Sequence, residues 1–63
     1  MGRREVKPTA VVNKHGTRFL LMAYTEVESA DGLAECAELA DSDGFTCWVP
    51  VDLFMSAFSV EGV

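Results

Sequence analysis

Apolar and polar positions alternate in short blocks along this chain, and the blocks are separated by three four-residue segments that each end in glycine: Asn13-Lys14-His15-Gly16, Ser29-Ala30-Asp31-Gly32 and Asp41-Ser42-Asp43-Gly44. Asn, Asp and Ser hydrogen-bond their own turn backbone and Gly supplies a positive φ, so each segment reads as a hairpin connection, the last two with the Asp-Gly signal. Three turns imply four strands. The first is expected over Thr9 to Val12, and the second, the longest, over Thr17 to Glu28. In the second, strict alternation points Phe19, Leu21, Ala23 and Val27 one way and Leu20, Met22 and Tyr24 the other, so its first half is apolar on both faces, as in a central strand. The third, Leu33 to Leu39, interrupts small apolar residues with Glu35 and Glu38. Strand is the favoured reading there, with helix as the alternative because Ala, Glu and Leu all have adequate helix propensity.

Aromatic and β-branched residues fill the fourth strand, Phe45 to Val49, and Pro50 ends it because proline has no N–H for a ladder. Pro50 also suits the first turn of a helix, Asp52 places a carboxylate near the positive end of its dipole, and Val51, Phe54, Met55 and Phe58 recur at helical spacing. A short helix is expected from about Pro50 to Phe58, its aromatic stripe on the sheet. The predicted fold is α+β: a single domain over residues 1–63 built as a small antiparallel meander of three to four strands with one C-terminal helix, residues 1–7 forming a flexible basic lead-in. Trp48, Tyr24, Phe45, Phe54 and Phe58 are assigned to the core.

Size limits what such a chain can do. Sixty-three residues bury only about 60% of the surface that the unfolded chain exposes, so the core is small and leftover aromatic and Met side chains are candidates for an interface. Met22, Tyr24 and Met55 are the candidates for self-association in a homodimer. An apolar fraction of 49% with 24% charged residues is ordinary globular composition. No apolar run approaches the roughly 18 residues of a membrane span. Arg3-Arg4-Glu5 is followed by no apolar stretch, so no signal peptide is expected, and a cytoplasmic (host-cell) setting is the default.

Charge is divided unevenly. Arg3, Arg4, Lys7, Lys14 and Arg18 are the only cations and all lie in the first 18 residues, leaving +4 there and −9 on the remainder, −5 in all. Between Glu26 and Asp43 stand Glu26, Glu28, Asp31, Glu35, Glu38, Asp41 and Asp43 with no cation among them. One reading is a solvated surface that keeps a small protein soluble. The functional reading is an acidic patch that competes for the basic, nucleic-acid-binding groove of another protein, where a summed negative field also speeds encounter. Direct nucleic-acid binding is disfavoured, because three leading cations sit on a body of opposite charge.

Catalytic and metal chemistry find little to stand on. His15 is the single histidine, there is no glycine-rich phosphate loop, and no nucleophile stands at a telling spacing from a base. Neither a catalytic residue nor a cofactor is expected. Asp41-Ser42-Asp43-Gly44 resembles the opening of a calcium loop, but counted from Asp41 the required glycine position holds Thr46, so the register fails. Cys36 and Cys47 fit no four-ligand metal pattern. On neighbouring strands they could meet if the register obliged, but a cytoplasmic setting keeps thiols reduced, and two buried, reduced core cysteines are expected.

The stretch Gly44-Phe45-Thr46-Cys47-Trp48-Val49-Pro50-Val51-Asp52-Leu53-Phe54-Met55-Ser56-Ala57-Phe58 resembles the end of many small bacteriophage and prophage accessory proteins, with an aromatic-Val-Pro strand exit and a short helix carrying Phe, three residues, then Phe. The resemblance covers about a quarter of the chain and its elements are structural. It implies a phage-encoded binding protein without enzymatic activity, of the kind that includes anti-CRISPR and other anti-defence inhibitors, some of which act as a DNA mimic on a host effector. The basic first segment departs from a uniformly acidic mimic. The alternatives are a structural or assembly component of a phage particle or a self-associating accessory domain, and an antitoxin-like partner of a basic protein.

Overall fold

Gly16, Gly32 and Gly44 all have positive φ, at 81°, 109° and 88°, and the chain reverses at each of them. In the computed structural model, which describes residues 2–61, the elements are β1 (Arg3–Asn13), β2 (Arg18–Ser29), β3 (Gly32–Ala40), β4 (Thr46–Pro50), α1 (Val51–Ala57) and β5 (Phe58–Val60). The strands form one antiparallel sheet in the order β4-β3-β2-β1-β5. The first and third turns share one design. Asn13 Oδ1 accepts the N–H groups of His15 and Thr17, and Asp41 Oδ1 accepts those of Asp43 and Phe45, all at 2.9 Å. In each turn the glycine N–H closes back on the carbonyl three residues earlier, an arrangement open to glycine because it needs φ > 0.

The sheet differs from expectation at both ends of the chain. The third segment is a strand, but β1 begins at Arg3 and not at Thr9, so residues expected to form a loose basic lead-in are paired with β2 from Arg3 opposite Thr25 onward. Pro8 lies within this strand. Its missing N–H is accommodated because the β1–β2 register shifts between Glu5 and Thr9, and a bulge is where a strand tolerates proline. The fifth strand, β5, pairs with β1 through Val11–Val60, Val12–Ser59 and Asn13–Phe58; three residues after a helix carry too little pattern to announce it.

A second bulge decides which side chains meet. Leu21 pairs with Leu39, but Ala23 pairs with Glu38 and Tyr24 with Ala37, so one extra β2 residue reverses the alternation beyond Leu21. Tyr24 therefore joins Phe19 and Leu21 against the core, and Ala23 passes to the opposite face, the reverse of strict alternation. The core consists of Val11, Leu21, Ala37, Leu39 and Phe54, with Val6, Phe19, Tyr24, Val49 and Phe58 packed around it.

The helix crosses the core face because β4 and β5 lie at opposite edges of the sheet. Five flat strands would span about 19 Å between outer axes, whereas seven helical residues reach only about 10 Å. The sheet must curl so that its edges approach, and α1 packs against β3, β4 and β5. Phe54 is buried beneath the helix and stacks on Phe58 at 5.3 Å between ring centres, while Phe58 meets Phe19 edge-on at 5.7 Å. Phe45 and Trp48, expected in the core, are 73% and 52% exposed, since β4 is an edge strand. Cys36 is buried but Cys47 is exposed; Cys47 pairs with Leu39, three β3 residues away from Cys36, which puts the two thiols on opposite faces and rules out a disulfide between them.

Candidate functional site

The acidic residues that follow one another in sequence are distributed by the fold to three separate places. Glu38 lies on the face opposite the helix, where Arg3 grips it with two hydrogen bonds, Nε to Oε1 at 3.1 Å and Nη2 to Oε2 at 2.8 Å. The same guanidinium donates to Glu5 at 2.8 Å, and Thr25 Oγ1 donates to Glu38 at 3.2 Å. The Glu38 side chain is only 13% exposed. The Arg3 hydrogen bond outweighs desolvation and holds its carboxyl below the ordinary value, with Arg3's charge, Thr25 and Trp48 contributing further. Arg3 is shifted upward in turn, first by Glu38 and then by Glu5, so it stays charged throughout the accessible pH range.

This pair has a testable signature. A carboxyl whose pKa is lowered by folding stabilises the native state fully above its unfolded value and loses that contribution as pH falls through the folded value. Urea midpoints of the wild type are expected to fall faster below about pH 4 than those of Glu38→Gln, while Arg3 adds no pH dependence. Parallel acid limbs in the two proteins would refute a stabilising role for the pair.

Asp41 and Asp43 stand at the β3–β4 turn. Asp41 serves as the acceptor that shapes the turn, whereas Asp43 is exposed and has no cation within 4 Å among the described residues.

Glu26, Glu28, Asp31 and Glu35 share the third place, a two-stranded arm. β1 leaves β2 at the Arg3–Thr25 pair and β4 leaves β3 at the Pro50–Cys36 pair, with one further backbone bond from Glu26 N–H to the Gly2 carbonyl. Beyond that bond residues 27–34 have no flanking strand among the described residues, and the hairpin projects by about 13 Å. Every residue from Glu26 to Leu33 is exposed. Glu26 and Glu35 are direct cross-strand partners, a like-charge pairing that costs stability. The cost is relieved at the base of the arm: the Gly2 N–H donates to Glu26 at 2.9 Å, and Arg4, lying over the Tyr24 ring at 5.1 Å, approaches Glu35 at 3.9 Å. Gly2, Arg3, Arg4, Tyr24, Glu26 and Glu35 line an open cleft of about 320 Å³ there. Further out, Glu28 and Asp31 have no cation within 4 Å among the described residues.

Of the side chains considered for self-association, Met55 is 71% exposed on the outside of α1. Met22 and Tyr24 are only partly exposed, Met22 at the bulge and Tyr24 between the core and Arg4. His15 is exposed in the β1–β2 turn. Among the described residues no group of three or more His, Cys, Asp or Glu side chains is placed to hold a metal ion, and no helix is long and apolar enough to cross a membrane. Sequence spacing could not separate Glu38 from the other acids. The signal that could have done so is Arg3, whose role depends on residues 3–7 being a strand. The chain matches no family model, and comparison with curated proteins and with solved structures finds no significant similarity.

Proposed function

We propose that this chain is a binding module without enzymatic activity that presents the acidic β2–β3 arm to a basic, nucleic-acid-binding surface of another protein and blocks it, as a phage-encoded anti-defence inhibitor directed at a CRISPR-type effector would. The observation that carries this reading is the projecting arm itself, with four carboxylates and no cation between residues 26 and 35. Solubility is served by acids anywhere on a surface and does not require Glu26 directly opposite Glu35. A like-charge pair that needs the Gly2 N–H and Arg4 to offset its repulsion, on an element that contributes little to the core, fits a surface selected for a cationic partner. The resemblance to phage accessory proteins supports the choice of partner class.

The contact set narrows accordingly to Glu26, Glu28, Asp31 and Glu35. Asp43 is left as a separate exposed charge, Asp41 shapes its turn, and Glu38 is bonded to Arg3. The experiment is a pull-down from host lysate with tagged wild type and with Glu28→Lys/Asp31→Lys, each at low and high salt, the captured proteins being identified by mass spectrometry. A basic nucleic-acid-processing protein should be retained at low salt and released at high salt. Because like-charge juxtaposition across an interface costs several kcal/mol, the double reversal should weaken its binding by at least about tenfold, with an unchanged unfolding midpoint. Equal capture by both proteins would refute the arm as the contact surface.

A further inference from the structure

An antiparallel sheet that does not close has two edges, and this one protects only one of them. At the β5 side the outer strand is three residues long, and the stretch of β1 that it leaves uncovered contains Lys7, Pro8 and a bulge, all devices that discourage further pairing. β4 carries no charged residue and no bulge, and its one proline, Pro50, stands at its very end. Its sequence is Thr-Cys-Trp-Val-Pro, no residue between Asp43 and Asp52 is charged, and Phe45 and Trp48 are largely exposed. The Asp41 N–H bonds the Phe45 carbonyl, so by the alternation of an antiparallel ladder residues 45, 47 and 49 direct their backbone groups at β3, and Thr46 and Trp48 direct theirs outward. Pro50 has the outward parity too, where its missing N–H breaks no bond within the sheet.

We propose that β4 is a homodimer edge, pairing antiparallel with β4 of a second copy about a two-fold axis through Cys47. A two-fold axis sets the strand against itself, so a chain of net charge −5 pairs with its copy most readily through a segment that carries no charge, which describes β4. The register follows from the outward groups. With the axis at Cys47, Thr46 of each copy lies opposite Trp48 of the other and all four outward N–H and C=O pairs are satisfied. With the axis at Trp48, Thr46 faces Pro50, which has no N–H, and its carbonyl is orphaned; with the axis at Thr46, Trp48 faces Gly44, whose N–H already bonds Asp41.

Side chains match in the same register. Phe45 falls opposite the second copy's Val49, an aromatic and β-branched pair of the kind that stabilises adjacent strands. On the other face, Thr46 continues a cross-strand row with Ala40 and Leu20. A shallow cleft of about 290 Å³ lined by Arg18, Phe19, Leu20, Ala40, Asp41 and Ser42 lies at the end of that row, and the second copy's Trp48 indole arrives next to Thr46. The result is a continuous ten-stranded sheet with no free β4 edge, formed independently of the acidic arm.

Sedimentation velocity from micromolar to millimolar protein tests this, with Cys47→Lys as the interface variant, because Cys47 is exposed and its replacement leaves the core intact. Wild type should form a dimer. In Cys47→Lys two ammonium groups meet on the axis, and the dimer dissociation constant should rise by at least about 30-fold with unchanged circular dichroism. Register is read by diamide oxidation: wild type should form an intermolecular Cys47 disulfide, while Thr46→Cys in a Cys47→Ser background should not, since position 46 faces position 48. A strict monomer at millimolar concentration, a dimer that survives Cys47→Lys, or equal cross-linking from positions 46 and 47 would each overturn the proposal. So would a monomer that binds an extended peptide of another protein along β4.

Discussion

Phe54→Ala is expected to leave the chain without a cooperative unfolding transition at 25 °C. Phe54 is the one buried residue of α1, and its ring reaches the core residues Val11, Leu21, Ala37 and Leu39 while stacking on Phe58. Truncating a buried Phe to Ala costs about 3–5 kcal/mol, transfer and cavity terms together. A 63-residue domain has only about 3–9 kcal/mol of stability to lose. The helix cannot compensate: it spans seven residues, is entered at Pro50 with no side-chain cap and has no basic residue in its last turn, so it persists by packing and not by propensity. Its loss would also release β5 and Phe58, exposing the edge of β1. Met55→Ala, one position along but 71% exposed, should change stability by less than about 0.5 kcal/mol. Urea titration followed by Trp48 fluorescence and far-UV circular dichroism checks both, and a cooperative Phe54→Ala transition near the wild-type midpoint would mean that α1 does not hold the sheet in its curl.

Asp41→Ala is expected to be the most damaging single change among the acidic residues at neutral pH that leaves the Arg3–Glu38 pair in place. Its carboxylate accepts two backbone N–H groups within one turn, an arrangement comparable to a helix N-cap, for which replacement by Ala costs about 0.5–2 kcal/mol. Asp43→Ala leaves both acceptor bonds in place and should lie within about 0.5 kcal/mol of wild type. The two substitutions remove the same charge, so their difference isolates hydrogen bonding from electrostatics. Gly44→Val should add to the case, because a β-branched residue at φ 88° is a steric outlier. Thermal midpoints measured in parallel decide it; equal shifts for Asp41→Ala and Asp43→Ala would show that charge alone matters at this turn.

Local chemistry made much of the fold legible. Glycine needs at Gly16, Gly32 and Gly44, with Asn, Ser or Asp three residues earlier, located all three hairpin turns, and the strands between them were placed to within a residue or two. Pro50 and Asp52 marked the change from strand to helix for the same reason: φ restriction, donor loss and dipole preference act within a few residues of the side chain that causes them. The acidic segment was legible as composition. Its division into an ion pair at Glu38, a turn acceptor at Asp41 and a projecting arm at Glu26, Glu28, Asp31 and Glu35 was not, because neighbours in sequence on a strand face opposite ways and a bulge changes which way.

What the amino-acid sequence determined by itself is therefore the set of segments and reversals: where the chain turns, which stretches extend, where the helix starts, and that charge separates into a basic beginning and an acidic body. Tertiary structure decided the rest. Arg3–Lys7 became strand because β2 offered backbone partners and a bulge accommodated Pro8. Phe58–Val60 became strand because α1 delivered them to β1. Tyr24 turned inward because β2 carries one extra residue against β3. Phe45 and Trp48 remained exposed because β4 is the outermost strand of the sheet. Each of these outcomes depends on hydrogen bonds and contacts between segments far apart in the chain, whose free energy appears only when both partners are in place, and for that reason no window of local pattern contains it.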